Sequence, residues 1–310
     1  MDITLRQLTY FIALAETRHF GRAAERCHVT QPALSVQIRE LEDRLGAQLI
    51  AREGRQPALT PAGQEVLASA RRVMGELDRM QDAVRWQGGL SGRLKLGVIP
   101  TVAPYLLPVA LPMLRARDLS LDLRVREAQT DQILSDLGDG HVDAAVLALP
   151  TGVPGLVETP LFEDRFTLAG SAAQIEELSA RTEALRPTEL NPDRLLLLDE
   201  GHCLADQALE VCGLRRSATR VDLGASSLAT LSGLVAEGFG LTLLPELALE
   251  SEMAATPALR VIRFPAPEPA RMVGLVRRDL SGNDGWFIEL AAILREAGRA
   301  VLDTARARVP

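Results

Sequence analysis

The chain has 310 residues, a formal net charge of −7, and a composition that is 47% hydrophobic and 24% charged. That length accommodates two or three domains. The acidic balance argues against a uniformly basic nucleic-acid coat, and no apolar run reaches the roughly 18–20 residues that a membrane-spanning helix needs. Three cysteines in so long a chain make no disulfide framework. The N-terminus lacks the apolar core and cleavage site of a signal peptide, so a cytoplasmic protein is expected.

The charge is not uniform. Residues 1–60 carry eight Arg against seven Asp and Glu, and Lys95 is the only lysine in the chain. Leu8, Phe11, Ile12 and Ala15 recur at the spacing of an amphipathic helix over 5–18. His19-Phe20-Gly21 interrupts it, and Arg22–Cys27 reads as a second short helix. After a turn at His28-Val29, Thr30 is placed as the N-cap of a third helix, with Pro32 in its first turn. That helix carries Leu34, Ile38, Leu41 and Leu45 on one face and Pro32, Ser35, Val36 and Arg39 on the other. Two short helices joined by a tight turn, the second with a small, polar and basic face, is the helix-turn-helix plan for entering a DNA major groove. Any amphipathic three-helix bundle shares the periodicity. Gly46 stops the helix, and residues 48–60 read as a hairpin wing with Arg52 and Arg55 at its tip.

Pro61 opens a long helix to about Gln87. Along it Val66, Ala70, Val73, Leu77, Met80 and Val84 alternate at +4 and +3, a narrow heptad seam that predicts a dimer. Gly88-Gly89, Ser91 and Gly92 form a hinge. Beyond it strands alternate with helices. Strands are expected at Leu94–Ile99, Leu119–Arg126, Val142–Leu149, from Arg165, Leu195–Leu198, Thr219–Asp222, Leu241–Leu244, Leu259–Phe264 and Met272–Val276. Helices are expected at Pro104–Arg115, Asp131–Leu137, Ser226–Phe239 and Asp284–Thr304.

Two of the three cysteines, Cys203 and Cys212, lie nine positions apart. A short helix is expected over Leu204–Val211, which puts Cys203 at its N-terminus beside His202. Unpaired N–H groups and a neighbouring imidazole both favour thiolate over thiol. On a continuous helix nine residues rise about 13–14 Å, whereas a disulfide needs Cα atoms within roughly 7 Å. Either these are small buried hydrophobes, or a bond between them would remodel the segment and make it a switch. His202, Cys203 and Cys212 do not complete a structural zinc site, which wants four ligands. Phosphate-binding glycine motifs are absent, so neither a metal nor another cofactor is expected. A Cys203/His202 catalytic dyad is the enzyme alternative, but adjacent side chains point apart, and an enzyme leaves the N-terminal domain unexplained. Cys27 is expected to be a packing residue.

Ala23-Ala24, Gln31-Pro32-Ala33-Leu34-Ser35, Ile38, Leu41-Glu42, Leu45-Gly46, Leu49, Arg52 and Thr60-Pro61-Ala62-Gly63 resemble, in order, the N-terminal domain of LysR-type transcriptional regulators. The resemblance implies that Thr30, Gln31, Pro32, Ser35 and Arg39 face DNA from the recognition helix. It also implies that Arg52 and Arg55 reach flanking backbone or minor groove, and that Arg6 touches phosphate. Ile99-Pro100-Thr101-Val102, Pro104–Pro108, Glu127-Ala128-Gln129-Thr130, Gly201-His202-Cys203-Leu204, Asp206-Gln207-Ala208 with Cys212, and Gly240–Pro245 resemble the peroxide-sensing OxyR branch of that family. This second resemblance covers almost the whole chain.

The resemblance implies a winged helix-turn-helix over 1–60 and a linker and dimerisation helix with hinge over 61–90. A two-lobed α/β regulatory domain of periplasmic-binding-protein type follows over 91–310, with lobe I at 91–164 and 269–310 and lobe II at 165–268. It further implies Cys203 as the peroxide-reactive thiolate, Cys212 as the resolving thiol, and a peroxide pocket of Thr101, Thr130, His202, Asp206 and Arg271. The partners it implies are paired DNA half-sites, a dimer or tetramer of this chain, hydrogen peroxide as signal, a thioredoxin- or glutaredoxin-type reductant, and RNA polymerase. No membrane partner is implied. Ala205, Val211 and Ala270 depart from the Arg, Phe and Arg of the best-known relatives, which puts the oxidation threshold in question. A regulator binding a small effector in its lobe cleft and a thiol-dependent peroxidase are the alternatives.

Overall fold

The structure is a computed structural model that describes residues 3–51, 57–85, 90, 92–181, 185–214, 225–279 and 284–309, with the backbone alone at 78–79 and 81–85. It divides into two compact units, the first built on residues 1–84 and the second on 85–137 and 142–310.

In the first unit, helix α1 (Leu5–Thr17) begins at a capping box in which Thr4 and Gln7 satisfy each other's backbone N–H groups. Helix α2 (Phe20–Arg26) is capped by the His19 ring, which accepts from the Arg22 N–H at 3.2 Å. The break between them is Arg18, in the left-handed region at φ 47°. Helix α3 (Gln31–Leu45) starts with the expected Thr30 cap and ends at Gly46, where φ is +66°. Phe11, Leu14, Leu34 and Leu41 fill the centre of this small core. Strands β1 (Ile50–Ala51) and β2 (Ala58–Leu59) pair antiparallel as the base of the wing. Its tip, with Arg52 and Arg55, lies outside the described residues.

The wing is anchored by a buried carboxylate. Glu42 Oε1 accepts from the backbone N–H groups of Leu49 (2.8 Å) and Ile50 (3.1 Å). Helix α4 (Pro61–Arg85) follows directly. Thr60 Oγ1 donates to the Gln48 carbonyl and accepts from the Gly63 N–H. A Cβ at position 63 would stand 2.2 Å from the Leu49 carbonyl oxygen, so only glycine fits there. The α4 seam splits in two. Ala70 is buried in the unit's own core with Val66 packed against it, while Val73 and Met80 are 44% and 66% exposed. The first part of the seam therefore serves the domain interior, and only its later part offers an apolar face.

The second unit is an α/β fold around one seven-stranded sheet, ordered β4-β3-β5-β9-β6-β7 with β8 also on β6. Strand β3 (Arg93–Val98) leads through helix α5 (Ala103–Arg117) to β4 (Asp122–Glu127). Helix α6 (Thr130–Gly138) then leads to β5 (Ala144–Leu149). β3 runs parallel to both β4 and β5. β5 is apolar throughout because both its faces are covered. Strand β6 (Leu156–Ser171) does double duty. Up to Arg165 it pairs with β9 (Ala270–Arg278), and from Phe166 onward with β7 (Thr242–Pro245) and β8 (Leu259–Arg263). The chain thereby passes from one lobe to the other inside a single strand. Helices α7 (Ala172–Arg181), α8 (Cys203–Val211), α9 (Leu228–Ala236) and α10 (Leu249–Ala255) belong to the second lobe. Helix α11 (Gly285–Arg308) packs on α5 and β6. Its C-terminal end is tied to the second lobe through Arg306 to buried Glu246 (2.9 Å) and Arg308 to Glu250 (2.6 Å).

Three expectations are corrected. The strand foreseen from Arg165 begins nine residues earlier, at Leu156. Pro160 and the charged Glu158, Glu163 and Asp164 hide its alternation. Leu195–Leu198 is not a strand but two isolated bridges, Leu195 to Leu241 and Leu198 to Ala225, because the run is too short to follow one neighbour. The helix expected at Ser226–Phe239 is trimmed to Leu228–Ala236, capped by Ser227. The strand expected at Thr219–Asp222 lies outside the described residues.

Replacing Glu42 with Ala removes two charge-assisted bonds at the wing's root. It should lower the unfolding free energy of the first unit by about 2–3 kcal/mol, measured by denaturant titration; a loss below about 0.5 kcal/mol would contradict the anchoring role.

Candidate functional site

Strands β3 and β4 lie side by side and parallel, so their C-terminal ends deliver two loops to the same edge, where open α/β sheets commonly bind ligands. The first loop carries Pro100 and Thr101, the second Gln129 and Thr130. The segment Gly201–Cys203, leading into α8, completes a narrow crevice with them. The structure thus brings Thr101, Thr130, His202 and Cys203 together. Asp206 stands exposed one turn into α8 and is not among the crevice walls.

Each wall contributes a different property. Arg271 is buried and donates from Nη1 to Thr101 Oγ1 (2.9 Å) and from Nη2 to the Thr101 carbonyl (3.2 Å). Because that hydroxyl oxygen is already an acceptor, its hydrogen is left to donate elsewhere. The Arg271 charge is balanced by Asp164, its cross-strand neighbour in the β6–β9 ladder, at 2.9 Å. Asp164 is held in turn by the Leu247 N–H (2.9 Å). Arg271 therefore reaches the crevice through Thr101 and as half of an ion pair rather than as a free positive charge. Thr130 Oγ1 is buried with no hydrogen-bond partner among the described residues. An unsatisfied buried hydroxyl costs about 1–3 kcal/mol.

Cys203 is the first residue of α8, half-buried and not in a disulfide. His202 is the N-cap residue, but its side chain makes no capping bond. The helix N-terminus thus presents its partial positive charge at the thiol. Burial pushes the His202 imidazole below its ordinary value, with Asp199 pulling partly back. His202 is therefore neutral near pH 7, a hydrogen-bonding group rather than the cation that would stabilise a thiolate by charge. Cys212 caps the other end of α8, buried at 2% exposure, and burial pushes its thiol up to about 11. With continuous helix between them, the two sulfurs belong to opposite ends of one element.

In the first unit, Arg6, Thr30, Gln31, Pro32 and Arg39 are exposed and Ser35 is half-buried, all but Arg6 along one stretch of α3 and its cap. Sequence reasoning missed Gln129 and Asp164. Gln129 was legible only as the neighbour of Thr130, and Asp164 only from the strand register that sets it opposite Arg271.

Residues 5–64 match the family described as bacterial regulatory helix-turn-helix protein, lysR family, and residues 87–298 match the LysR substrate binding domain. A probable hydrogen peroxide-inducible genes activator from Streptomyces viridosporus is 42% identical over 298 residues, 96% of this chain and 95% of that protein. The DNA-binding transcriptional dual regulator OxyR of Escherichia coli K12 is 40% identical over 296 residues, 94% of this chain and 95% of that protein. The chain belongs to the OxyR branch of the LysR family. Among solved structures, a hydrogen peroxide-bound OxyR mutant from Corynebacterium glutamicum aligns with a TM-score of 0.68 at 34% identity, over 100% of this chain and 97% of that one. The two matched families put the helix-turn-helix of this OxyR-branch chain in α1–α3 and its crevice in the second matched region. No helix among the described residues is long and apolar enough to cross a membrane.

The buried Cys212 thiol yields a pH prediction. Its folded pKa, about 11, lies above the ordinary 9.0. The stability it contributes is therefore complete below pH 9 and lost as pH rises towards 11. In a Cys203→Ser variant, Cys212 alkylation should stay slow through pH 9 and rise only near pH 11; an inflection at pH 8–9 would contradict the burial.

Proposed function

We propose that this chain is a peroxide-sensing, DNA-binding transcriptional regulator switched by a reversible Cys203–Cys212 disulfide. The observation that carries this reading is the crevice. It sets a cysteine at a helix N-terminus with one hydroxyl whose oxygen is already engaged by Arg271 and a second, Thr130 Oγ1, that is buried with no partner among the described residues. Two hydroxyls next to a thiol suit a small ligand with two oxygens. The Cys203 thiolate attacks one peroxide oxygen, the O–O bond breaks, and the leaving oxygen departs as hydroxide while the sulfur becomes a sulfenic acid. Cys212 then displaces the sulfenic hydroxyl, which leaves as water with the Cys212 proton. An external dithiol of thioredoxin or glutaredoxin type returns both thiols.

The same geometry makes the disulfide a conformational event. Helix α8 must unwind before its ends can bond. Remodelling α8 in every cycle disfavours the rapid turnover of a peroxidase. Exposed Gln31, Pro32 and Arg39 on α3, with Arg6 and the wing, read paired DNA half-sites from a dimer or tetramer. RNA polymerase is the proposed downstream partner, in the cytoplasm.

A Cys203→Ser variant should keep specific DNA binding but lose any peroxide-induced change in its DNA footprint. A footprint that still shifts like wild type on adding peroxide would overturn the assignment. Peroxide consumption by wild type with excess dithiol should stay slow beside disulfide formation, since each cycle refolds α8.

A further inference from the structure

Gln129 belongs to the turn before α6, and its backbone carbonyl accepts from the Ile133 N–H at 3.0 Å. Its side chain crosses to the cysteine segment, where Nε2 donates to the Glu200 carbonyl at 3.1 Å. The amide also lies close to Gly201. A Cβ at that position would meet Gln129 Oε1 at 2.3 Å, and Gly201 has φ +91°. Position 201 therefore combines a left-handed backbone that favours glycine with close approach of the Gln129 amide, which a Cβ there would push aside. Across the crevice, among the bonds described, the Gln129–Glu200 bond is the one that joins the 129–130 loop to the segment preceding Cys203.

We propose that Gln129 is a positioning residue that latches the 199–203 segment in its reduced conformation and thereby sets how readily the disulfide closes. The proposal rests on the redox-switch reading above. Gln129 does not act on peroxide. The first step, Cys203–S⁻ + H₂O₂ → Cys203–SOH + OH⁻, takes place with the latch closed. The second, Cys203–SOH + Cys212–SH → disulfide + H₂O, requires the N-terminus of α8 to leave the crevice, because about 13–14 Å of helix must collapse to bring the sulfurs together. That motion breaks the bond to the Glu200 carbonyl and lifts Gly201 off the Gln129 amide. The latch is present in the dithiol form and absent from the disulfide form, so it biases the equilibrium towards dithiol. A single hydrogen bond of this kind corresponds to a factor of about 2–10.

The test uses the full-length protein and two variants. Gln129→Ala removes the side chain. Gln129→Glu keeps its size but replaces the donor with an oxygen facing the Glu200 carbonyl. Dithiol and disulfide forms are quantified by mass after equilibration in glutathione buffers of defined ratio. The rate of Cys203 sulfenic acid formation is measured separately, each variant carrying Cys212→Ser for that purpose. The expected result is a shift of about 2–10-fold towards disulfide in both variants, read from the equilibrium ratio alone, while the sulfenic acid rate, compared with that of the Cys212→Ser protein, reports separately any part Gln129 plays as a crevice wall. An unchanged equilibrium in both variants, or a shift towards dithiol, overturns the latch while wild type still forms the bond. Wild type that forms no Cys203–Cys212 disulfide in any buffer overturns the switch reading itself.

Discussion

The regulatory unit is governed by a length constraint. Cys203 and Cys212 sit at the two ends of one helix, and no rotamer brings together sulfurs whose Cα atoms are about 13–14 Å apart. The reduced fold is thus incompatible with a bond between them, and forming it must cost helix α8. This constraint turns a chemical modification into a structural one. It also explains the unequal environments of the thiols. Cys203 lies half-buried at the crevice with a helix N-terminus behind it, and burial keeps the Cys212 thiol protonated.

The crevice is held from outside itself. Arg271 and Asp164 face each other across the β6–β9 ladder, and Asp164 also takes the Leu247 N–H from the second lobe. Arg271 passes this order to Thr101 through two hydrogen bonds. A buried ion pair is weak evidence for stability, but as a rigid spacer it orients a hydroxyl well. The same strand, β6, carries the chain from one lobe to the other. The elements that position the crevice are therefore those that join the lobes.

Much of this was legible in the sequence, and the failures have physical causes. The N-terminal helices, the Thr30 cap, the Gly46 stop and the short α8 followed from periodicity and capping, since those elements are decided locally. Strand β6 was half missed because its first part runs through Pro160 and charged residues, tolerated by pairing with β9 rather than by alternation. The charge at the site depends on contacts distant in sequence: the register sets Asp164 against Arg271, and burial lowers the His202 imidazole. Gln129 gave no pattern of its own, because what it does depends on Gly201 arriving across the crevice. The heptad seam of α4 was real as a periodicity, yet Ala70 and Val66 answer to their own domain's core.

The measurement that tests the central claim most directly is a thiol count with mass mapping, before and after brief exposure to near-stoichiometric peroxide. The account predicts that the three free thiols fall to one, with a single linked peptide joining Cys203 to Cys212 and Cys27 unmodified. Three thiols unchanged after exposure would contradict it.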